Sequence, residues 1–181
     1  MSGVPPRTAL AVVADDAEAA TAPWRRRHNA SAVERLLPAH VTVLFPLVPA
    51  VEVDDDLLAR LRTLYASTKP FAYALTRVDS FPGVAWLAPE PATPFLELID
   101  RTTAAFPGYP PYGDPALEPV PHCTVGVVDD PAELPSVLEA LRDGLEPLLP
   151  IRCEARDVAL LAERDDGSWA VHTRFPLEGE A

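Results

Sequence analysis

The chain has 181 residues, 48% of them apolar, and a formal net charge of −12. That is enough apolar material for one domain with a real core, taken here as residues 1–181, and no run approaches the ~20 apolar residues a membrane span needs. The acidic balance argues against a protein that coats extended nucleic acid, because such binders displace counterions with broad basic surfaces, but it leaves room for a small anionic nucleotide or an RNA terminus in a local basic cleft.

The start, MSGVPPRTAL, lacks the basic head and long apolar stretch of a signal peptide, so the expected compartment is the cytoplasm. TALAVVA (8–14) reads as a first strand. Residues 15–37 read as one or two short helices broken at Pro23. HVTVLF (40–45) is a strand stopped by Pro46. Asp54 can cap a helix that buries Leu57, Leu58, Leu61, Leu64 and Tyr65 along one face. FAYALTRVDS (71–80) and VAWLA (84–88) form a hairpin around Phe81–Pro82–Gly83. Thr93 then Pro94 suggests a cap and first helical position, followed by a face of Phe95, Leu98, Ile99, Thr102 and Phe106.

Residues 107–121 hold six prolines and two glycines, a long rigid segment of the kind that is often functional. HCTVGVV (122–128) is the next strand, and Pro135 fits the first turn of a helix carrying Val137, Leu138, Leu141 and Leu145. One long strand (151–163), a turn at Asp165–Asp166–Gly167 and a last strand (168–177) complete the chain. Cys123 and Cys153 sit in apolar strand-like runs and are expected as buried thiols. Lys69 is the single lysine and lies in no motif, so a lysine–nucleotide adduct has one candidate nucleophile; no Walker-type glycine loop occurs. No cofactor and no metal are expected.

Two segments match each other. PAHVTVLF (38–45) and PHCTVGV (121–127) each place a proline-led His-x-Thr at the front of a β-branched run, and the chain has only four histidines. After each motif the order is helix, strand, strand. The pattern reads as an internal repeat over approximately 40–106 and 122–181, and two such units can pack about a pseudo-two-fold axis with the motif strands side by side.

Side chains at i and i+2 of a strand share a face. His40 and Thr42 project together, as do His122 and Thr124, while Val41 and Cys123 point to the core. Two imidazoles and two hydroxyls across one cleft suit phosphoester chemistry: a neutral histidine takes a proton from the attacking oxygen and a protonated one supplies the leaving oxygen. The threonines can donate to non-bridging phosphate oxygens. A lone His-x-Thr is weak evidence, since histidine can simply end a strand and threonine is a good strand former; two copies in matched settings are far more specific. Zinc is a poorer fit, because the usual close His and Cys spacing is missing and Cys123 would face away from His122.

On PAHVTVLFP (38–46), PHCTVGV (121–127), WRRRHN (24–29) and FPGVAWLAPEP (81–91), the chain resembles the 2H phosphoesterases, which include the bacterial 2′-5′ RNA ligases and RNA 2′,3′-cyclic phosphodiesterases. The resemblance implies an α+β fold of two pseudo-symmetric lobes, with antiparallel sheets, flanking helices and a central cleft between the two His-x-Thr strands. It further implies metal-independent hydrolysis of a cyclic phosphate, with His40 and His122 as acid and base and Thr42 and Thr124 on the phosphate. One departure stands out. RNA-ligase-like members often carry an arginine shortly after the second motif, where this chain has Gly126 and Val127.

Lesser candidates are the Arg25–Arg26–Arg27 run, a solvated helix face unless one of them, Arg27 for choice, meets phosphate or a neighbouring nucleotide. Phe45, Tyr109 and Tyr112 could stack a base, with packing the simpler role for Phe45. His28 and His172 read as structural, and Trp24, Trp86 and Trp169 as core or interface. The expectation is a monomeric cyclic phosphodiesterase acting on RNA ends or nucleotides, with possible reversal to 2′-5′ ligation; the alternative is a non-catalytic module binding a nucleotide or RNA end in the same cleft.

Overall fold

In the computed structural model, residues 5–179 are described, and they hold eight strands and five α-helices. In chain order these are β1 (Thr8–Val13), α1 (Glu18–His28), α2 (Ala30–Glu34), β2 (His40–Leu44), α3 (Asp55–Ala66), β3 (Phe71–Phe81), β4 (Val84–Glu90), α4 (Thr93–Ala105), β5 (Cys123–Val127), α5 (Leu134–Gly144), β6 (Ile151–Ala155), β7 (Asp157–Glu163) and β8 (Trp169–Pro176).

All strands join one antiparallel sheet in the order β6-β3-β4-β5-β2-β1-β7-β8. The two central strands touch through one residue pair, Val41 with Cys123, while every other neighbouring pair makes several. The sheet is thus two four-stranded halves meeting at a narrow seam, and the His-x-Thr strands form that seam. This is the expected α+β architecture. Each half draws strands from both segments of the chain: β3 and β4 share a half with β5 and β6, whereas β2 sits with β1, β7 and β8.

Three local expectations differ from the structure. The apolar run 151–163 is two strands, broken at Arg156: β6 pairs with β3 at one edge and β7 with β1 and β8 in the other half. Period-2 patterning continues through such a bend, so only the pairing partners reveal it. α1 runs through Pro23, and the break falls at Asn29. The helix survives because its buried stripe, Ala17, Thr21 and Arg25, is packed at four-residue spacing against the body of the protein. α4 starts from Ala92, whose carbonyl accepts from the Phe95 and Leu96 amides, so Thr93 lies inside the first turn and makes no side-chain cap bond. Asp54 does cap α3, accepting from the Leu57 amide at 2.8 Å.

One face of the sheet carries the main core, where Leu61, Tyr65, Phe95, Leu98, Leu141 and Leu145 of the helices pack on Leu10, Val41, Leu87 and Cys123. Both cysteines are buried free thiols, and burial pushes Cys123 up to about 12. The other face has a smaller cluster of Ala9, Ala11, Val13, Ala159, Leu161 and Trp169. The alternation in TALAVV explains the difference: Leu10 and Val12 serve the main core, and the small Ala9 and Ala11 leave the opposite face hollow.

Candidate active site

The hollow face holds a cavity of about 310 Å³ lined by His40, Thr42, His122 and Thr124 together with Phe45 and Tyr112. The seam explains this gathering. With Val41 opposite Cys123, the antiparallel register sets His40 across from Thr124 and Thr42 across from His122. Val41 and Cys123 are fully buried on the core side, so alternation sends their neighbours into the cavity.

Phe45 reaches the same cavity through a detail of the strands. Thr42 pairs with Ala11 and Leu44 with Leu10, so β2 carries one extra residue, Val43. β5 carries the same insertion, Val125, between the pairs Thr124–Trp86 and Gly126–Ala85. A one-residue bulge inverts the facing beyond it. Leu44 and Gly126 therefore turn to the buried side, and Phe45 and Val127 join the His-Thr face.

Each imidazole is tied in the same way. His40 Nδ1 lies 2.8 Å from the Pro38 carbonyl, and His122 Nδ1 lies 2.7 Å from the Val120 carbonyl. A carbonyl only accepts, so each Nδ1 carries the hydrogen and each Nε2 is left as the atom that exchanges a proton. The surroundings differ. Burial lowers the His40 pKa below the usual histidine range against the pull of the Pro38 carbonyl, and the charges of Arg25 and His122 lower it further. His122 is also lowered by burial, opposed by the Val120 carbonyl. It sits among aromatic rings: Phe81 at 5.1 Å, Trp86 at 5.9 Å and Tyr112 at 6.5 Å between centroids.

Tyr112 comes from the proline-rich segment. Its amide donates to the Phe45 carbonyl at 2.6 Å, and its φ of 53° is a left-handed conformation uncommon outside glycine. This tether holds the ring against Phe45 and His122. Burial raises the Tyr112 pKa, and the neighbouring Thr42 hydroxyl works in the opposite direction.

The arginines in the cavity wall are Arg7, Arg25 and Arg35. Arg27 is exposed and lines an adjoining groove, not the cavity of the two histidines. Arg25 is almost fully buried; Nη1 donates to Glu18 Oε2 at 3.2 Å, Nη2 donates to the Leu37 carbonyl, and Nε has no partner. Arg7 and Arg35 both pair with Glu163, and the Arg7 guanidinium lies over the Phe45 and Trp169 rings at 5.5 and 5.8 Å. Arg7, Arg35 and Trp169 were not legible as site residues; Arg25 stood in the basic run 25–27, of which Arg27 was the preferred candidate. Tyr109 packs against the main core, and His172 is exposed on the edge strand β8, beside the Thr173 hydroxyl.

A profile of the 2′-5′ RNA ligase superfamily matches residues 13–167. This chain belongs to that superfamily. Its 2H phosphoesterase motifs agree with the assignment. Among superfamily relatives, a Shouchella clausii protein provisionally named a phosphoesterase is 27% identical over 165 residues, 87% of this chain and 89% of its own. In fold, the chain is similar to E. coli LigT solved with 3′-AMP, at TM-score 0.60 and 16% identity over 96% of this chain and 99% of that one. A Thermus thermophilus protein, TT0787, gives TM-score 0.59 and 18% identity over 97% and 100%. Membership makes the chain a phosphoesterase-type enzyme.

Proposed function

We propose that the cavity hydrolyses a 2′,3′-cyclic phosphate, or a related cyclic phosphoester, on a nucleotide or RNA end. The observation that carries this reading is the pair of imidazoles with Nδ1 held by backbone carbonyls and Nε2 free in one cavity, each across the seam from a threonine hydroxyl. Water attacks phosphorus as one imidazole accepts its proton; the P–O bond to the ribose breaks as the other imidazole protonates the leaving oxygen. The product is a phosphomonoester. Thr42 and Thr124 donate to the non-bridging oxygens, where charge accumulates. A 5′-hydroxyl attacking in place of water would give a 2′-5′ linkage without ATP.

The two imidazoles have unequal claims on the shared proton. Arg25 disfavours charge on His40, and aromatic rings beside His122 tolerate it. His40 is accordingly the base and His122 the acid. The anionic substrate restores the proton that burial discourages, so the pair titrates as a unit with its ligand.

The test is turnover of nucleoside 2′,3′-cyclic phosphates in EDTA by the wild type, His40→Ala and His122→Ala, with phosphorus NMR of the product. Loss in both variants supports the reading. Near-full turnover in either one overturns it, and saturable binding without turnover by the wild type would make the cavity a receptor.

A further inference from the structure

Phe45 and Val127 hold the same station on their strands, five residues past the histidine and two past the bulge. They differ in what they close. Phe45 is braced by Tyr112 and Trp169, each 6.4 Å away between centroids, with the Arg7 guanidinium over its ring. That side of the cavity is walled off. Val127 is 47% exposed. Beyond it lies a second groove of about 550 Å³ between α1–α2 and the loop joining β5 to α5. Val127, Asn29, Arg35 and Trp169 line both spaces, so the groove continues the cavity.

The groove has a polarity of its own. Arg27 stands on the α1 wall, exposed, with no ion pair or side-chain hydrogen bond among the described residues, in a chain of net charge −12. Asp129 and Glu133 stand on the far wall. A phosphodiester is repelled by those carboxylates and attracted to the free guanidinium, which suits phosphate geometry. Ribose hydroxyls, in turn, can donate to the carboxylates.

We propose that this groove is the subsite for the nucleotide preceding the reacting one, with Arg27 on the phosphate that links the two. It rests on the cyclic-phosphate reading of the histidine cavity. A cavity of about 310 Å³ is at the small end of ligand pockets and suits one nucleotide. The preferred substrate is therefore a short RNA end of two or more nucleotides, and the acidic surface beyond disfavours a long one.

The experiment compares a dinucleotide ending in a 2′,3′-cyclic phosphate with the matching mononucleotide, for the wild type, Arg27→Glu and Val127→Phe. Losing one exposed charge-assisted contact should reduce kcat/KM for the dinucleotide about tenfold more than for the mononucleotide. Val127→Phe, which rebuilds the closure made by Phe45, should act in the same direction. Calorimetric binding of the dinucleotide and mononucleotide 3′-phosphates tests the subsite apart from turnover. A wild type that binds and turns over both alike, or a dinucleotide preference intact in both variants, overturns the subsite. A dinucleotide gain in binding that Arg27→Glu removes, in a protein that turns over neither cyclic phosphate, upholds the subsite and overturns the catalytic reading.

Discussion

β2 and β5 present the same motif, the same backbone tie and the same bulge, yet they serve different surroundings. His40 stands beside a buried cation, and His122 among aromatic rings. Four residues past each histidine, Leu44 fills core on β2 where Gly126 on β5 has no side chain at all. A Cβ there would lie 3.1 Å from Val137 Cγ1 and 3.4 Å from both Ala85 Cβ and His28 Cβ. α1 and α5 therefore close on β5 at Gly126, and the cavity takes its arginines from other elements. Near-symmetry supplies two matched imidazoles; the departures from it give them unequal surroundings and open the cavity onto a groove beside Val127.

The largest expected effect treats the two halves alike. His40→Ala and His122→Ala should each lower kcat by about 10²–10⁴ on a cyclic phosphate, and the double variant should be little worse than either, since the pair acts as a unit. A loss confined to one variant would break the comparison at its root. Next, Thr42→Val and Thr124→Val should each cost about 10²-fold if the hydroxyls hold the charge that builds on phosphate. Thr42→Val should also change the surroundings of Tyr112, which shares the cavity wall with it, and so raise KM as well; steady-state kinetics on both variants separates the two.

Gly126→Ala sharpens the contrast in packing. Val137 Cγ1, 3.1 Å from the added methyl, has to give by a few tenths of an ångström while Ala85 and His28 stay at ordinary contact, so the cost should be about 1 kcal/mol, measured by denaturant unfolding.

The smallest effects concern pH. The folded pKa values of His28, His40 and His122 all lie below the ordinary histidine value of 6.5. The unfolded chain therefore binds more protons as pH falls through about 6.5, so stability should decline below that pH, stay level to about pH 8, and fall again where thiols of the unfolded chain ionise and buried Cys123 does not, as unfolding at several pH values would show. The proposed acid–base pair works with one proton on it, so kcat/KM should peak on the acid side of about 6.5. Arg25→Met removes a cation that lowers His40, and should move that peak to higher pH while leaving the His122 titration, followed by NMR, nearly in place.

Much of the fold was legible in local patterns. Asp54 announced its helix, the Phe95–Phe106 face is buried as its spacing requires, and Gly83 turns its hairpin with a φ of 78°. The quartet His40, Thr42, His122 and Thr124 followed from two short motifs, because i, i+2 spacing alone puts each pair on one face. Arg7 and Trp169 could not follow in this way. They belong to distant segments, and only the pairing of β1 with β7, and of β7 with β8, carries them to the cavity.

Strand faces, helix faces and the two His-Thr pairs could all be read from the chain alone, since they depend on contacts between near neighbours. The Val41–Cys123 seam, the bend at Arg156, the twin bulges that turn Phe45 and Val127 inward, and the choice of Arg25 over Arg27 for the cavity emerged only when the elements packed together. Each of those is a matter of register or partner between segments far apart in the chain. A residue's own spacing does not encode what will be laid beside it.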